Sequence, residues 1–349
     1  MTPKVTVLMT VYNGERYLKE CMDSVLSQSF KDFEFLIVDD CGADSSKDII
    51  KSYKDDRIRL IENKQNVSQV RSLNIGLEHA QGEYIARMDQ DDVMMKNRLE
   101  RQLDFLDKRQ DISIVGTWGE AIDENGKVFD TFCYPTKNEE IVGGILYSGN
   151  PLMHMSVIFK KDAVISVGKY DESRSFAEDY DLWTRLLLKR YRFANIPEFL
   201  VQFRYHRESS SRLFRETQIK STYIAISNFL RNIVGSSCDI NPDSLCNILI
   251  NSGMMRKEYW LDETDTQHSE NLAGLLEMVL RKVSDYFKFG KKEAYLMRKI
   301  FCNRMLNFAY AASGRGKRKS LPLYLFCLKN SRYLLTRPKL YLYPIRPIL

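Results

Sequence analysis

Short apolar segments alternate with amphipathic segments along residues 1–90, and this alternation limits the choice of fold more than any other feature. The apolar segments have the length of buried strands and cover residues 5–11, 33–38, 58–61 and 84–88. The segments between them carry apolar residues at helical spacing, as Leu18, Met22 and Val25 do in the first. Strands that alternate with helices of this length favour an α/β fold, with a mostly parallel sheet and helices on both faces.

Aspartates directly follow two of these predicted strands. Asp39 and Asp40 follow the second strand, and Asp89, Asp91 and Asp92 follow the fourth. Ligands of open α/β sheets bind in the crevice at the carboxyl ends of the strands, and carboxylate oxygens suit Mg²⁺ or Mn²⁺. The alternative is an acidic turn that caps the next helix. Acidic residues at two strand ends of the same sheet edge favour a site.

Gly82 stands between the third predicted helix and the fourth strand. A residue without Cβ tolerates the left-handed conformation in which many helices end. We therefore expect Gly82 to close the helix predicted over residues 68–80 in that conformation.

Two common nucleotide-binding motifs are absent from the sequence. After the first strand, where a dinucleotide fold carries G-x-G-x-x-G, the chain reads Thr10-Val11-Tyr12-Asn13-Gly14. The sequence has no G-x-x-x-x-G-K-[ST] loop either. A nicotinamide or flavin enzyme and a P-loop nucleotidase are therefore disfavoured.

Further elements are predicted up to about residue 210. Helices are expected over residues 98–109 and 138–146 and from residue 178, and strands over residues 112–117, 156–159 and 200–205. Residues 123–127 are predicted to form a hairpin turn, because Asn125-Gly126 readily adopts the positive φ angles of such turns.

Two later positions are candidates for a role in chemistry. His154 precedes a predicted strand, where it can contact a diphosphate or sugar or have a purely structural role. Glu178 and Asp179 open a predicted helix, and a carboxylate there can take a proton from an attacking hydroxyl. Acidic residues are also favoured in the first turn of any helix. Both interpretations remain open at each position.

Length and composition are those of a globular protein with room for two domains. The chain has 349 residues, of which 44% are hydrophobic and 28% charged. No apolar run reaches the length of about 18 residues expected of a transmembrane helix, and no secretory signal is evident. The seven cysteines show no C-x-x-C spacing, which favours reduced thiols in the cytoplasm over disulfides or a zinc site.

Residues 281–349 are strongly basic. They carry a formal charge of +15, which leaves −9 on residues 1–280. Such a segment suggests an anionic partner, either a membrane surface or nucleic acid. The mixture of basic, aromatic and aliphatic residues over 315–342 favours an interfacial helix on an anionic membrane. The acidic body and the lack of an aromatic RNA-binding signature argue against nucleic acid.

Seven short motifs occur in an order and spacing typical of one enzyme family. They are VLMTVYN (7–13), VDD (38–40), SLNIGL (72–77), GEYIA (82–86), DQDD (89–92), NPLMH (150–154) and EDYDLW (178–183). With these motifs, over about residues 3–210, the chain resembles family 2 glycosyltransferases of the GT-A fold, of the bacterial surface-polysaccharide type.

The resemblance implies a nucleotide-sugar site in the first part of the chain. Residues that match Thr10, Tyr12 and Asp40 line the base and ribose, and Asp39 lies beside them. Arg71 stands where a basic or polar residue often faces the nucleotide.

The resemblance also assigns metal and catalytic positions. Asp91 corresponds to the main ligand of Mn²⁺ or Mg²⁺, with Asp89 reaching the ribose or the metal. Asp179 corresponds to the catalytic base, and His154 and Glu178 are grouped with the residues that bind the nucleotide-sugar.

The reaction implied is an inverting transfer of a single sugar. The donor is a nucleoside-diphosphate sugar, with a UDP-sugar expected, and the acceptor is a saccharide or lipid-linked saccharide in polysaccharide, lipopolysaccharide or glycolipid biosynthesis. Gly42 replaces a serine common after the aspartate pair. Tyr205 replaces the tryptophan of the Q-x-x-R-W motif of processive synthases, which, with the lack of predicted transmembrane segments, favours single transfer over polymerisation.

Two other functions fit parts of the pattern. A sugar-nucleotide pyrophosphorylase also binds a nucleotide on a parallel sheet, but it would need a glycine-rich basic loop where the chain reads Tyr12-Asn13-Gly14-Glu15-Arg16. A non-enzymatic nucleic-acid binder would use the basic C-terminal region.

The predicted domain organisation follows the extent of the resemblance. Residues 1–211 are expected to form the GT-A catalytic domain, with a nucleotide-sugar-binding part over about 1–117 and an acceptor part over about 118–211. Residues 212–349 are expected to be helical and basic, with helices over 214–234, from residue 241, and over 269–287 and 292–312. The expected location is the cytoplasm, with peripheral attachment to the inner face of the cell membrane.

Overall fold

A computed structural model of the chain describes residues 2–146, 150–207, 209, 213–234 and 269–313. Contacts divide the chain into two compact units, the first of residues 1–136 and 152–221 and the second of residues 137–151 and 222–349. The division into a catalytic domain over 1–211 and a helical region over 212–349 stays a prediction, since the units describe compactness and not function.

In the described residues the first unit is built on one nine-stranded sheet. Its strands are β1 (Val5–Val11), β2 (Phe33–Asp39), β3 (Ile58–Glu62), β4 (Tyr84–Met88), β5 (Val93–Met94), β6 (Ile114–Ile122), β7 (Val128–Phe132), β8 (Ile158–Lys160) and β9 (Phe193–Arg204). They lie in the order β3-β2-β1-β4-β8-β6-β9-β5, and β7 pairs with β6.

The helices of the described residues follow the strands in alternation up to β4. They are α1 (Glu15–Leu26), α2 (Ser46–Ser52), α3 (Gln69–His79), α4 (Arg98–Lys108), α5 (Asn138–Leu146), α6 (Lys161–Ser166), α7 (Glu178–Leu188), α8 (Arg215–Val234), α9 (Ser269–Phe287) and α10 (Lys291–Ser313). A short 3₁₀ helix covers His154–Ser156.

The first four strands form the parallel part of the sheet. β1 lies between β2 and β4, with Val5 opposite both Phe33 and Tyr84. All residues of β1 and β2 are buried, as expected of apolar strands in a parallel sheet that is covered on both faces. This part of the fold confirms the predicted alternation of strands and helices.

Antiparallel pairing enters beyond β4. β8 is antiparallel to β4 and β6, whereas β6 and β9 are parallel. β6 and β9 are longer than the strands predicted there, because they pair from Ile114 opposite Phe193 to Ile122 opposite Arg204. The strand predicted over 156–159 is replaced by the 3₁₀ helix followed by β8. The predicted hairpin turn is confirmed, and Gly126 has a φ of +82°.

Helices cover both faces of the parallel part, as predicted. Val7 and Met9 of β1 belong to a core cluster with Leu18 of α1 and Leu99 of α4. Leu8 points to the other face, where a Cβ on Gly76 of α3 would lie 2.2 Å from the Leu8 Cδ1 atom. The missing side chain at this glycine therefore lets α3 approach β1 closely.

Gly82 has a different role from the one predicted. α3 ends at His79, Ala80 is extended, and Gly82 is not among the positive-φ residues of the described chain. The expectation of a left-handed helix cap is therefore wrong. A Cβ on Gly82 would lie 2.4 Å from the backbone nitrogen of Thr6. The backbone segments at Gly82 and Thr6 are therefore too close together to leave room for a side chain on residue 82.

The second unit is helical in its described residues. The helices predicted over 138–146, 214–234, 269–287 and 292–312 are confirmed, with ends that agree within one residue. Leu276, Val279 and Val283 of α9 are buried as predicted, while Leu272 and Leu275 lie outside the described side chains. A Cβ on Gly143 of α5 would lie 2.5 Å from the carbonyl oxygen of Met297, so α5 and α10 pack closely.

The described helices include none that is both long and apolar enough to cross a membrane. The helix predicted from residue 241 and the interfacial helix predicted over 315–342 lie outside the described residues.

Candidate active site

Predicted site residues lie at the ends of β1, β2 and β4, along one edge of the sheet. β2, β1 and β4 are parallel neighbours, with Val11 opposite Asp39 and Met9 opposite Met88. Their carboxyl ends therefore place Thr10, Asp39, Asp40 and the 89–92 turn along the same edge. This is the edge at which open α/β sheets bind ligands.

Asp39 and Asp40 hold the loops around the end of β2. The Oδ1 atom of Asp40 accepts hydrogen bonds from the side-chain amide of Asn63 at 2.8 Å and from the backbone N–H of Val67 at 2.9 Å. Asp39 accepts a longer bond of 3.5 Å from the N–H of Gly42 in its own turn, and burial raises its pKa. Their role as nucleotide contacts stays a prediction.

A buried arginine contacts Asp89. Arg87 is 1% exposed, and its Nη2 atom donates to Oδ1 of Asp89 at 2.6 Å. Burial raises the pKa of Asp89, and the positive charge of Arg87 opposes that shift. The guanidinium therefore favours the ionised form of Asp89 in a turn that contains two further aspartates.

Asp91 meets a histidine from the chain that follows β9. The Nε2 atom of His206 lies 2.7 Å from Oδ2 of Asp91, and the imidazole ring packs 5.3 Å from the ring of Tyr17. The oxygen and nitrogen donors of this pair suit a divalent cation such as Mn²⁺. Within the described residues, no group of three or more His, Cys, Asp or Glu side chains is arranged to hold a metal.

Asp92 points into the protein. Its Oδ1 atom accepts the backbone N–H of Arg204 at 2.8 Å, while its buried Oδ2 atom has no hydrogen-bond partner. Burial, with the nearby charges of Asp91 and Asp89, raises the pKa of Asp92 well above its usual value. The Arg204 side chain donates to the Asp91 carbonyl at 2.9 Å and to Glu20 at 2.6 Å. Arg204 therefore fixes the backbone of the turn on which Asp91 is presented.

Glu178 and Asp179 form the first turn of α7, as predicted. Glu178 is 7% exposed, and its Oε2 atom is buried without a hydrogen-bond partner. Burial and the neighbouring Asp179 raise the pKa of Glu178 to about 8, which favours the protonated form of this carboxyl. Asp179 is half-buried and accepts the N–H of Tyr180 at 2.7 Å. Neighbouring carboxyl groups in different environments are typical of acid–base sites.

The charge of Arg87 acts on both Asp89 and Glu178. Its charge opposes the rise in the pKa of Glu178, whereas Asp89 adds to that rise. Asp89, at the end of β4, therefore lies close enough to the start of α7 to affect the ionisation of Glu178.

His154 lies in a buried aromatic cluster. Its Nε2 atom lies 2.9 Å from the hydroxyl of Tyr170, and its ring makes edge contacts with Tyr170 and Trp183. Burial, and then Arg87, lowers the pKa of His154 well below its usual value, so the imidazole is neutral. These contacts favour the structural interpretation, and a contact with diphosphate or sugar stays a prediction.

Two predicted nucleotide contacts have exposed side chains. Tyr12 is 48% exposed in the loop after β1. The Arg71 side chain is 58% exposed, and its Nη1 atom lies 3.7 Å from Glu172. No described contact joins Arg71 to the strand-end aspartates, and its role at the nucleotide is untested.

Four residues of this region have contacts that the sequence did not predict: Arg87, Gln90, Arg204 and His206. Arg87 had a readable signal, because it is a cation within a short, otherwise apolar strand that precedes the acidic cluster. His206 had none, because it lies 115 residues from its partner Asp91.

Comparisons with known sequences agree with this arrangement. The family model described as Glycosyl transferase family 2 matches residues 6–156. The protein EpsE of Bacillus subtilis is 39% identical over 207 residues, which cover 58% of this chain and 73% of EpsE. WbnJ of Escherichia coli, an O-antigen biosynthesis glycosyltransferase, is 32% identical over 216 residues, which cover 60% of this chain and 82% of WbnJ.

Solved structures show the same fold at low sequence identity. S. aureus TarS in complex with UDP-GlcNAc has a TM-score of 0.56 and 17% identity, over 95% of this chain and 92% of that one. The mannosyltransferase PcManGT from Pyrobaculum calidifontis, in complex with GDP-Man and Mn²⁺, has a TM-score of 0.51 and 14% identity, over 97% and 89%. The predicted fold class, a GT-A domain with a helical C-terminal region, is thereby confirmed.

Proposed function

Because the chain belongs to glycosyl transferase family 2, we propose that it moves a single sugar from a nucleoside-diphosphate sugar to an acceptor hydroxyl, with inversion at the anomeric carbon. The observation that carries this proposal is that Asp89, on the sheet edge that also carries Asp39 and Asp40, lies close enough to the carboxyl pair at the start of α7 to affect the pKa of Glu178. Family membership gives no support to a pyrophosphorylase or to a nucleic-acid binder.

Asp179 is the proposed catalytic base. Burial raises the pKa of its neighbour Glu178 to about 8, which favours the protonated form of Glu178 and makes it the less suitable proton acceptor of the two. The half-buried Asp179 is then the carboxylate of the pair that can take the proton from the acceptor hydroxyl. General bases of this kind contribute about 10²–10⁴-fold to the rate.

A divalent cation, Mn²⁺ or Mg²⁺, is proposed at Asp91, with His206 and Asp89 as further donors. The oxygen and nitrogen atoms of these side chains fit such a cation, and substrate phosphates would fill its remaining coordination positions. PcManGT, which has the same fold, was solved with Mn²⁺. When bound, the cation would neutralise charge that develops on the departing nucleoside diphosphate.

The proposed donor site lies along the strand-end edge. Tyr12 presents an exposed aromatic ring for the base, and Thr10, Asp39, Asp40 and Arg71 complete the nucleotide side of the site. A UDP-sugar is the expected donor, since TarS of the same fold was solved with both UDP-GlcNAc and UDP. The GDP-Man complex of PcManGT makes GDP-sugars the first alternative for the assay.

The proposed acceptor is a saccharide or lipid-linked saccharide in the biosynthesis of a surface polysaccharide. The relative WbnJ, an O-antigen biosynthesis glycosyltransferase, supports this assignment. The described cysteines, Cys21, Cys41, Cys133 and Cys302, are free thiols, in keeping with a reducing compartment. Peripheral attachment to an anionic membrane through the basic region over 315–342 is part of the same proposal.

Donor turnover tests the proposal directly. The purified protein is incubated with UDP-GlcNAc, UDP-glucose, UDP-galactose and GDP-mannose in the presence of Mn²⁺, with water and simple saccharides as acceptors, and released nucleoside diphosphate is measured. We expect release from one nucleotide class and a loss of about 10²–10⁴-fold in Asp179→Asn. The matched control is Asp104→Asn, which changes an exposed aspartate on α4 that pairs with Lys108. No release from any donor, or an unchanged rate in Asp179→Asn, would contradict it.

A further inference from the structure

Gln90, the middle residue of the Asp89-Gln90-Asp91 turn, is bound to the backbone of Tyr12. Its Oε1 atom accepts the N–H of Tyr12 at 2.8 Å, and its Nε2 atom donates to the Tyr12 carbonyl at 3.1 Å. A side-chain amide has one acceptor and two donors, and both bonds form in a single orientation of the amide. Gln90 therefore pairs with Tyr12 in the manner of a neighbouring strand.

The loop after β1 is shaped to admit this amide. A Cβ on Gly14 would lie 2.6 Å from the Oε1 atom of Gln90. Gly14 has a φ of −104°, which any residue can adopt, so backbone conformation does not demand glycine there. A methyl group at this position would instead meet the Gln90 amide and force it to move.

The same loop is tied to the loop that follows β2. The Oδ1 atom of Asn13 accepts the N–H of Ala43 at 2.8 Å, and Asn13 itself has a positive φ of 50°. One continuous set of contacts thus runs from the Asp39–Asp40 loop through residues 12–14 to the turn that carries Asp89 and Asp91.

We propose that Gln90 is a positioning residue that couples recognition of the nucleoside to binding of the metal–diphosphate group. The inference rests on the proposed function, in which Tyr12 contacts the base and Asp91 holds the cation. The Gln90 amide makes the position of Tyr12 depend on the position of Asp91, and the reverse. A ligand that orders either end of this link therefore prepares the other end, and such coupling is reciprocal.

The test measures how much Mn²⁺ tightens the binding of UDP. The dissociation constant of UDP is measured by calorimetry with and without Mn²⁺ in the native protein, in Gln90→Ala and in Gly14→Ala, and the ratio of the two constants is the readout. GDP replaces UDP if the native protein prefers it. Gln90→Ala should lower the ratio by about tenfold, because two hydrogen bonds that hold the link are lost.

Gly14→Ala provides a second route to the same loss, because its methyl group would displace the Gln90 amide. It should lower the ratio as Gln90→Ala does, and the double variant should be no worse than either single variant. Gln110→Ala is the control, since the Gln110 amide donates to the Leu106 and Asp107 carbonyls at the end of α4. It should leave the ratio unchanged.

The outcomes separate this inference from the proposed function. If Gln90→Ala weakens UDP equally with and without Mn²⁺, Gln90 has only a structural role and the inference is wrong. Additive effects of Gly14→Ala and Gln90→Ala would also overturn it. If the native protein binds neither UDP nor GDP in the presence of Mn²⁺, the proposed function fails, and the inference built on it fails too.

Discussion

Burial separates the protonation states of two neighbouring carboxyl groups at the start of α7. Glu178 is almost fully buried with an unpartnered oxygen, and Asp179 is half-buried with a bond from Tyr180. The desolvation of Glu178 favours its neutral form, and a neutral neighbour spares Asp179 from like-charge repulsion. The assignment of the base to Asp179 therefore depends on the environment of Glu178.

Glu178→Gln should change how stability depends on pH. The pKa of Glu178 in the folded state is raised from 4.5 to about 8, so the folded state holds this proton more tightly than the unfolded chain does. The stabilisation it provides is complete below pH 4.5 and is lost as pH rises through about 8. Relative to the native protein, Glu178→Gln should gain up to about 1.4 kcal/mol per pH unit within that window.

Urea unfolding between pH 5 and pH 9 measures this difference. Exposed Glu83 provides the control variant, Glu83→Gln, which should follow the native curve. Parallel curves for Glu178→Gln and the native protein would show that Glu178 does not titrate as described.

The residues of the site differ in how far the sequence could predict them. Asp89 and Asp91 follow a strand directly, so local pattern and motif predict them as candidate site residues. His206 and Gln90 act through contacts with residues 115 and 78 positions away. No local pattern carries such contacts, since they exist only once the strands are placed side by side.

At the scale of elements, the start of β4 depends on Gly82. Gly82→Ala would bring a methyl group against the backbone of Val5 and Thr6, which cannot rotate away as a side chain can. We expect a loss of about 1–3 kcal/mol in the free energy of unfolding, with weaker nucleotide binding because β4 carries the acidic turn. Gly290→Ala is the control, as its Cβ would meet Glu293 at an ordinary 3.5 Å. Equal stability of the two variants would contradict the steric role of Gly82.

Gln102 of α4 joins elements that are distant in the chain. Its fully buried amide donates to the carbonyls of Val115 in β6 and Ser156 in the 3₁₀ helix, both at 2.9 Å, and accepts from Arg98. Gln102→Leu would remove all three of these buried hydrogen bonds, at a cost of about 2–4 kcal/mol. Chemical denaturation beside Gln110→Leu, at an exposed position just after the same helix, would measure it. A smaller loss of stability in Gln102→Leu than in Gln110→Leu would show that the hydrogen bonds of Gln102 contribute little.

The strands also show what local sequence patterns can and cannot predict. β1 and β4 could be predicted to the residue because parallel strands covered on both faces are continuous apolar runs. β5 has two residues and exists as a partner of β9, and β9 begins at Phe193 because β6 lies beside it. The length of such a strand is set by its partner strand and cannot be predicted from the periodicity of its own sequence.

At the scale of the whole molecule, charge is divided unevenly along the chain. Residues 281–349 carry +15 and the remainder −9, so we expect binding to vesicles that contain anionic lipid. Flotation at low salt should recover the protein with such vesicles, and high salt or truncation after Ser313 should abolish recovery, since each basic residue near the surface contributes about 1 kcal/mol. Equal recovery with neutral vesicles, or no loss on truncation, would contradict an electrostatic attachment.

The central claim is that the carboxyl edge of the sheet binds a nucleoside diphosphate through a cation at Asp91. The most direct measurement is the melting temperature with UDP or GDP, with and without Mn²⁺, for the native protein, Asp91→Ala and the control Asp104→Ala. A ligand at 100 times its dissociation constant should add about 2.7 kcal/mol. We predict a Mn²⁺-dependent rise with one nucleotide that Asp104→Ala keeps and Asp91→Ala loses. An equal rise in Asp91→Ala, or none in the native protein, would contradict the claim.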